Sequence, residues 1–148
     1  MFMGASRLFV APRENNVNLP EFVKKYDGQP IDYDKNYGPQ CQDLYRQYCK
    51  EVLCVPQSTP VKDGGAIDVW NVYLKDYFTA IKNTPSGIPN SGDIMIWGKG
   101  VGKYGHIAVF LFGDVRNFYS FDQNWPVGSK CHIQFHDYSA LIGWLRKK

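Results

Sequence analysis

The sequence predicts an α+β fold. Three observations carry this: apolar spacings of three and four are confined to the first half, strand-like runs follow Gly92, and a Pro/Gly/Ser/Asn-rich connection at 82–92 separates the two textures. Helices first and a meander of strands afterwards predict N-terminal helices packed on an antiparallel β-sheet of about five strands.

Residues 1–18 carry little pattern and are read as an N-terminal arm, poorly ordered or in part foreign to the fold; residues 19–148 form the single domain. Leu19 to Tyr26 reads as a short helix with Pro20 in its first turn, ended by Asp27-Gly28. From Gln40 to about Leu53, Cys41, Leu44, Tyr45, Tyr48 and Val52 recur at helical spacing, and Pro56 and Pro60 stop the segment. Lys62 to Gly65 is a turn, and Ala66 to Leu74 is a second, shorter helix. The strands are Asp93–Trp97, His106–Phe112, Asn117–Trp125, Cys131–His136 and Leu141–Leu145. His106–Phe112 is apolar on both faces, as a central strand should be. Arg146, Lys147 and Lys148 make a basic end.

Composition sets limits. Hydrophobic residues at 44% support a folded core, and the 16% aromatic share suits a groove that grips an extended, partly polar substrate. A net charge of +3 with no long Lys/Arg cluster and no recognised binding motif argues against nucleic acid, and is a mild bias towards anionic surfaces. No apolar window is long enough to span a membrane, and the start lacks the layout of a secretory signal. Cys41, Cys49, Cys54 and Cys131 form no CxxC pair, so a zinc cage is not supported. Cys49 and Cys54 read as small apolar core residues, with a bridge to Cys131 left open.

The stretch from Asp32 to Asp43 holds two chemistries. Asp32, Asp34 and Asn36 place oxygen donors at alternate positions, Gly38 can add its carbonyl, and Asp43 closes the set. That is a donor pattern suited to a hard cation such as Ca²⁺, although Tyr37 stands where an EF-hand requires Gly. Cys41 falls in the first turn of a helix, where backbone N–H groups and the helix dipole stabilise a thiolate. Asp43 lies about 200° round that helix from Cys41, so it can turn to the loop while the thiol faces elsewhere.

A thiol nucleophile needs a base, and the base needs an orienting partner. Of three histidines, His106 opens the central-looking strand directly after Gly105, whereas His132 and His136 have no such setting. Asp122 and Asn124 share a face of the next strand, and either could accept the imidazole N–H.

These pieces together resemble the CHAP domain, the cysteine- and histidine-dependent amidohydrolase/peptidase module of the bacteriophage endolysin type. The matching segments are Gln40-Cys41-Gln42-Asp43-Leu44, Gly92-Asp93-Ile94-Met95-Ile96-Trp97, Tyr104-Gly105-His106-Ile107-Ala108 and Asp122-Gln123-Asn124-Trp125. The resemblance implies a papain-like fold and hydrolysis of a peptidoglycan amide, as an endopeptidase or an N-acetylmuramoyl-L-alanine amidase. It makes Cys41 the nucleophile, His106 the base and Asn124 the usual third residue; Asp122 stands where many phage members carry Glu. It also implies structural Ca²⁺ on Asp32, Asp34, Asn36, Gly38 and Asp43. The expected partner is bacterial peptidoglycan, met by a monomer, with wall targeting supplied by another chain or domain. Such a protein would be made without a signal peptide in the cytoplasm of an infected host and act at the cell wall. Two other readings compete: a calcium-dependent wall-binding module without catalysis, and a papain-like peptidase acting on protein.

Overall fold

The computed structural model describes residues 17–57 and 65–148. Most of the N-terminal arm and of the expected 62–65 turn therefore lies outside the described residues, as does Pro60. The first helix, α1, spans Leu19–Tyr26. Asn18 caps it: its side chain accepts from Glu21 N while Glu21 returns a bond to Asn18 N, which satisfies two otherwise orphaned donors. Helix α2 spans Cys41–Tyr48 and runs into a π-helical turn, Cys49–Leu53. That turn ends at Cys54, whose φ of +54° is left-handed. Helix α3, Ala66–Asn71, is shorter than its apolar pattern predicts, because Val72 leaves helical geometry.

Six strands follow: β1 Phe78–Lys82, β2 Ile94–Trp97, β3 His106–Gly113, β4 Asn117–Asp122, β5 His132–Asp137 and β6 Leu141–Lys147. They form one antiparallel sheet in the order β1-β6-β2-β3-β4-β5. The sheet has one strand more than the sequence predicts. The addition is β1, an edge strand on which only Phe78 is buried and whose partner β6 lies far along the chain. The other expected strands form. However, the third ends at Asp122 instead of Trp125, and this shift decides how the site is built.

Strand β3 is buried from His106 to Phe110, as a central strand must be. Its alternating side chains enter two clusters. Ile107 and Val109 join Ile94, Ile96, Phe121 and Leu145 against the helical residues Phe22, Leu44, Tyr45 and Tyr48. Ala108 and Phe110 join Met95, Trp97, Phe118 and Trp144 on the other side. Each fully buried side chain of this size contributes on the order of 1.5–3 kcal/mol. Arg146 is not a loose basic tail. It grips the buried Asp93 through Nη2 to Oδ2 at 2.7 Å and Nε to Oδ1 at 3.1 Å, fastening the end of β6 to the start of β2.

Candidate active site

Cys41 is the first residue of α2. The helix starts there because Gln40 is extended, with φ −123°, and donates its N–H to Asp43 Oδ2 at 2.8 Å. Asp43 Oδ1 accepts from Tyr33 N at 3.2 Å, so one carboxylate joins the acidic loop to the helix start. The half-buried Cys41 opens on a cleft of about 570 Å³, walled by Asp34, Tyr37 and Gln40 on one hand and by Gly65, Ala66 and Tyr104 on the other.

His106 is the first residue of β3. Gly105 before it has φ +73°, and a Cβ there would sit 2.2 Å from the Trp97 carbonyl. Only glycine lets the chain enter β3 that close to β2. The imidazole is buried and meets four side chains. Its Nε2 lies 2.7 Å from Asp122 Oδ2, the Cys41 thiol hydrogen-bonds the ring, and Trp97 and Trp125 pack on it at centroid distances of 5.1 and 4.7 Å. With Nε2 committed to Asp122, Nδ1 is the nitrogen left for the sulfur. Burial alone lowers the basicity of this imidazole, but the bonds to Asp122 and Cys41, with their charges, override it and hold the ring at about 9. Burial pushes the Asp122 carboxyl up; the hydrogen bonds and charges of His106 and His136 outweigh that and keep it below its usual range.

Cys41, His106 and Asp122 are thus brought together, although they come from three elements and lie up to 81 positions apart in sequence. Asn124 is not brought to the imidazole. It lies beyond the end of β4 with φ +66°, accepts from Gly128 N at 2.6 Å, and donates to Gln40 Oε1 at 3.1 Å. The face it would share with Asp122 in a continuous strand is lost at that turn. It orients the Gln40 side chain, next to Cys41, instead.

Three residues of this network escape sequence reasoning. The first is His136, fully enclosed, with Nε2 2.9 Å from Asp122 Oδ2. Ser120, the second, donates its hydroxyl to Asp122 Oδ1. Gln123 is the third; it is buried, accepts from Ile31 N at 2.7 Å, and donates to Ile31 O at 2.9 Å and Gln40 O at 2.7 Å. That one amide ties both ends of the 31–40 loop to the end of β4. Period-two patterning put Asp122 on a face but gave no register, so no local signal pointed to His136. The position of Gln123 between the two candidates Asp122 and Asn124 was its one signal in the sequence.

Asp32, Asp34 and Asp43 each place a carboxylate oxygen within 4.8 Å of the others. Asp32 Oδ1 is buried with no hydrogen-bond partner. Burial, helped by the charges of Asp34 and Asp32, pushes the Asp43 carboxyl up against the pull of the Gln40 N–H. Arg46 at 3.3 Å offsets part of the charge on Asp34. Clustered carboxylates with an unsatisfied buried oxygen fit a hard divalent cation. Asn36 donates its N–H to Asp34 Oδ1, and Gly38, at φ +71°, lies on the same loop.

None of the four cysteines forms a disulfide. Burial pushes the Cys49 and Cys131 thiols up to about 12, which makes them inert. Cys54, expected in the core, is exposed at the end of the π-helical turn, where the left-handed backbone turns it outward.

A thiol at a helix N-terminus facing an imidazole at a strand start, with helices on one side of an antiparallel sheet, defines a papain-like cysteine site. Residues 30–124 match the CHAP domain, and the chain belongs to that family. Among curated proteins, it is 29% identical over 136 residues to endolysin PlyTW of Staphylococcus phage Twort, covering 84% of this chain and 28% of that protein. To the D-alanyl-L-alanine endopeptidase of Streptococcus phage B30 it is 30% identical over 96 residues, or 61% of this chain and 20% of that protein. The chain therefore spans less than a third of the length of either relative. Among solved structures, endolysin LysIME-EF1 superposes with a TM-score of 0.70 at 29% identity, over 88% of this chain and 64% of that one. Ly7917, at 15% identity and a TM-score of 0.61 over 88% of this chain and 62% of that one, shares the fold.

Proposed function

We propose that this chain is the catalytic domain of a peptidoglycan hydrolase that cuts an amide bond in the peptide part of the polymer by a thiol mechanism. The observation that carries the reading is His106, held between the Cys41 thiol and the buried Asp122 carboxylate. In this mechanism His106 takes the Cys41 proton, and the sulfur attacks the amide carbonyl exposed in the cleft. The Cys41 backbone N–H, unpaired within the first helical turn, faces the developing oxyanion, with a second donor from the Gln40 region. His106 then protonates the leaving amine, and water releases the acyl group from sulfur. Asp122 keeps the ring in the tautomer that leaves Nδ1 to exchange the proton.

Asp32, Asp34 and Asp43 would hold a structural Ca²⁺, with Asn36 adding a side-chain or backbone oxygen and Gly38 its carbonyl. When bound, the ion supplies charge neutralisation and fixes the loop entering Cys41. The named relatives, an endolysin and an endopeptidase of two phages, support peptidoglycan as the substrate and the bacterial wall as the place of action.

Purified cell walls should clear in a turbidity assay with the native chain and stay turbid with Cys41→Ala. Full clearing by that variant would end the hydrolase reading. Wall pull-down without released product from the native chain would favour a binding module instead.

A further inference from the structure

We propose that His136 is a positioning residue for the thiol–imidazole pair: its Nε2–H and the Ser120 hydroxyl hold the Asp122 carboxylate in the one orientation that grips His106. This rests on the reading of Cys41 and His106 as nucleophile and base. Four observations carry it. The Asp122 side chain is completely buried, so each of its oxygens needs a donor inside the protein. Both imidazoles meet the same oxygen, Oδ2, at 2.7 Å from His106 and 2.9 Å from His136, while Ser120 holds Oδ1. An ionised carboxylate only accepts, so both rings carry their proton on Nε2. Finally, His136 is clamped: its ring stacks on Phe118 at 5.4 Å and packs against Trp97 and Trp125 at 4.7 and 4.8 Å.

The residue directly across the ladder from Asp122 is His132, yet that ring is engaged elsewhere, with Lys130 O and Gln134 Oε1. His136 reaches the carboxylate from farther along β5. The consequence is chemical as well as steric. A short aspartate held by His106 alone could rotate about its terminal bond each time the charge on that ring changed. The second imidazole and the hydroxyl remove this freedom. A second hydrogen bond to Oδ2, donated by His136, also makes the carboxylate a poorer acceptor for the His106 proton, so proton exchange stays at Nδ1, facing Cys41. The groups facing Asp122 are His106 from β3, His136 from β5 and Ser120 from its own strand; Cys41 from α2 faces His106.

The test uses iodoacetamide and purified cell walls in a Cys54→Ser background, so that the exposed thiol does not report. His136→Phe keeps a ring among the tryptophans but has no N–H, whereas His136→Gln returns an amide N–H near the lost one. For His136→Phe the alkylation of Cys41 at pH 7, read by mass spectrometry, should slow by about ten-fold, with a matching fall in kcat and an unchanged KM. His136→Gln should recover most of both. Native rates in His136→Phe would overturn the proposal. In the native chain, ¹⁵N-histidine NMR at pH 7 should show His136 as the Nε2–H tautomer, a readout that needs no variant to fold; an unprotonated Nε2 would equally overturn the proposal. Failure of the native Cys41 to alkylate would count against the nucleophile reading itself, so the two failures are distinguishable.

Discussion

At the scale of single residues, the account turns on which groups touch the His106 ring. Asp122→Asn keeps the shape but offers His106 an acceptor that competes with a donor, and kcat should fall by at least about a hundred-fold in wall digestion while KM holds. Asn124→Ala should cost less, because Asn124 holds Gln40 and not the imidazole. Equal losses from the two variants would show that the placement of Asn124 is wrong. The pH dependence follows from the direction of the His106 shift. Its folded value, about 9, lies above the unfolded one, so the stability it contributes is complete below the unfolded pKa and disappears as pH rises through about 9. In the proposed mechanism the protonated ring releases the amine, so kcat should fall on the alkaline side over the same window. A flat profile to pH 10 would contradict that role. Cys41 and His106 were legible in the sequence because each sits at the first residue of an element, a position that local patterning can find. His136 was not, because its role depends on reaching a carboxylate on a neighbouring strand.

At the scale of elements, the site is a set of junctions. Gln123 joins β4 to both ends of the 31–40 loop, and Gly105 brings β3 against β2. Gln123→Leu strands a buried N–H and two carbonyls, which should cost about 2–4 kcal/mol in urea unfolding and loosen the chain entering Cys41. A loss under about 0.5 kcal/mol would show that these bonds do not hold the loop. Helices α1 and α2 and the central strands were readable from periodicity and from Pro and Gly punctuation. Edge strand β1 was not: five residues with one buried side chain carry almost no period, and their partner is known only once β6 is placed. The overextended third strand has a related cause. Asn117 to Trp125 carries the aromatic residues a strand favours, but the strand stops at Asp122, and Asn124, which tolerates a left-handed backbone, sits in the turn that follows.

At the scale of the whole molecule, two clusters on opposite faces of the sheet fix β3, and with it the distance from α2 to His106. A cation bound at the acidic loop would add to this frame from outside the core. If Asp32, Asp34 and Asp43 hold Ca²⁺, free calcium at a hundred times Kd raises stability by roughly 2.7 kcal/mol. The melting temperature should rise in millimolar calcium, drop in EGTA, and stop responding in Asp32→Ala; identical curves in calcium and EGTA would remove the ion from the account. Among the described residues no helix is long and apolar enough to cross a membrane. The α+β class was legible from the change of texture at Gly92, and the candidate site largely from two motif positions. The network around Asp122 appears only when the sheet is assembled.

In the proposed function the Cys41–His106 pair breaks an amide bond in peptidoglycan. Mass spectrometry of soluble fragments released from purified walls tests it most directly. The native chain should release fragments with a new amine and a new carboxyl end at one type of amide bond, and Cys41→Ala should release none. Fragments cut at a glycosidic bond, or the same fragments from both proteins, would contradict it.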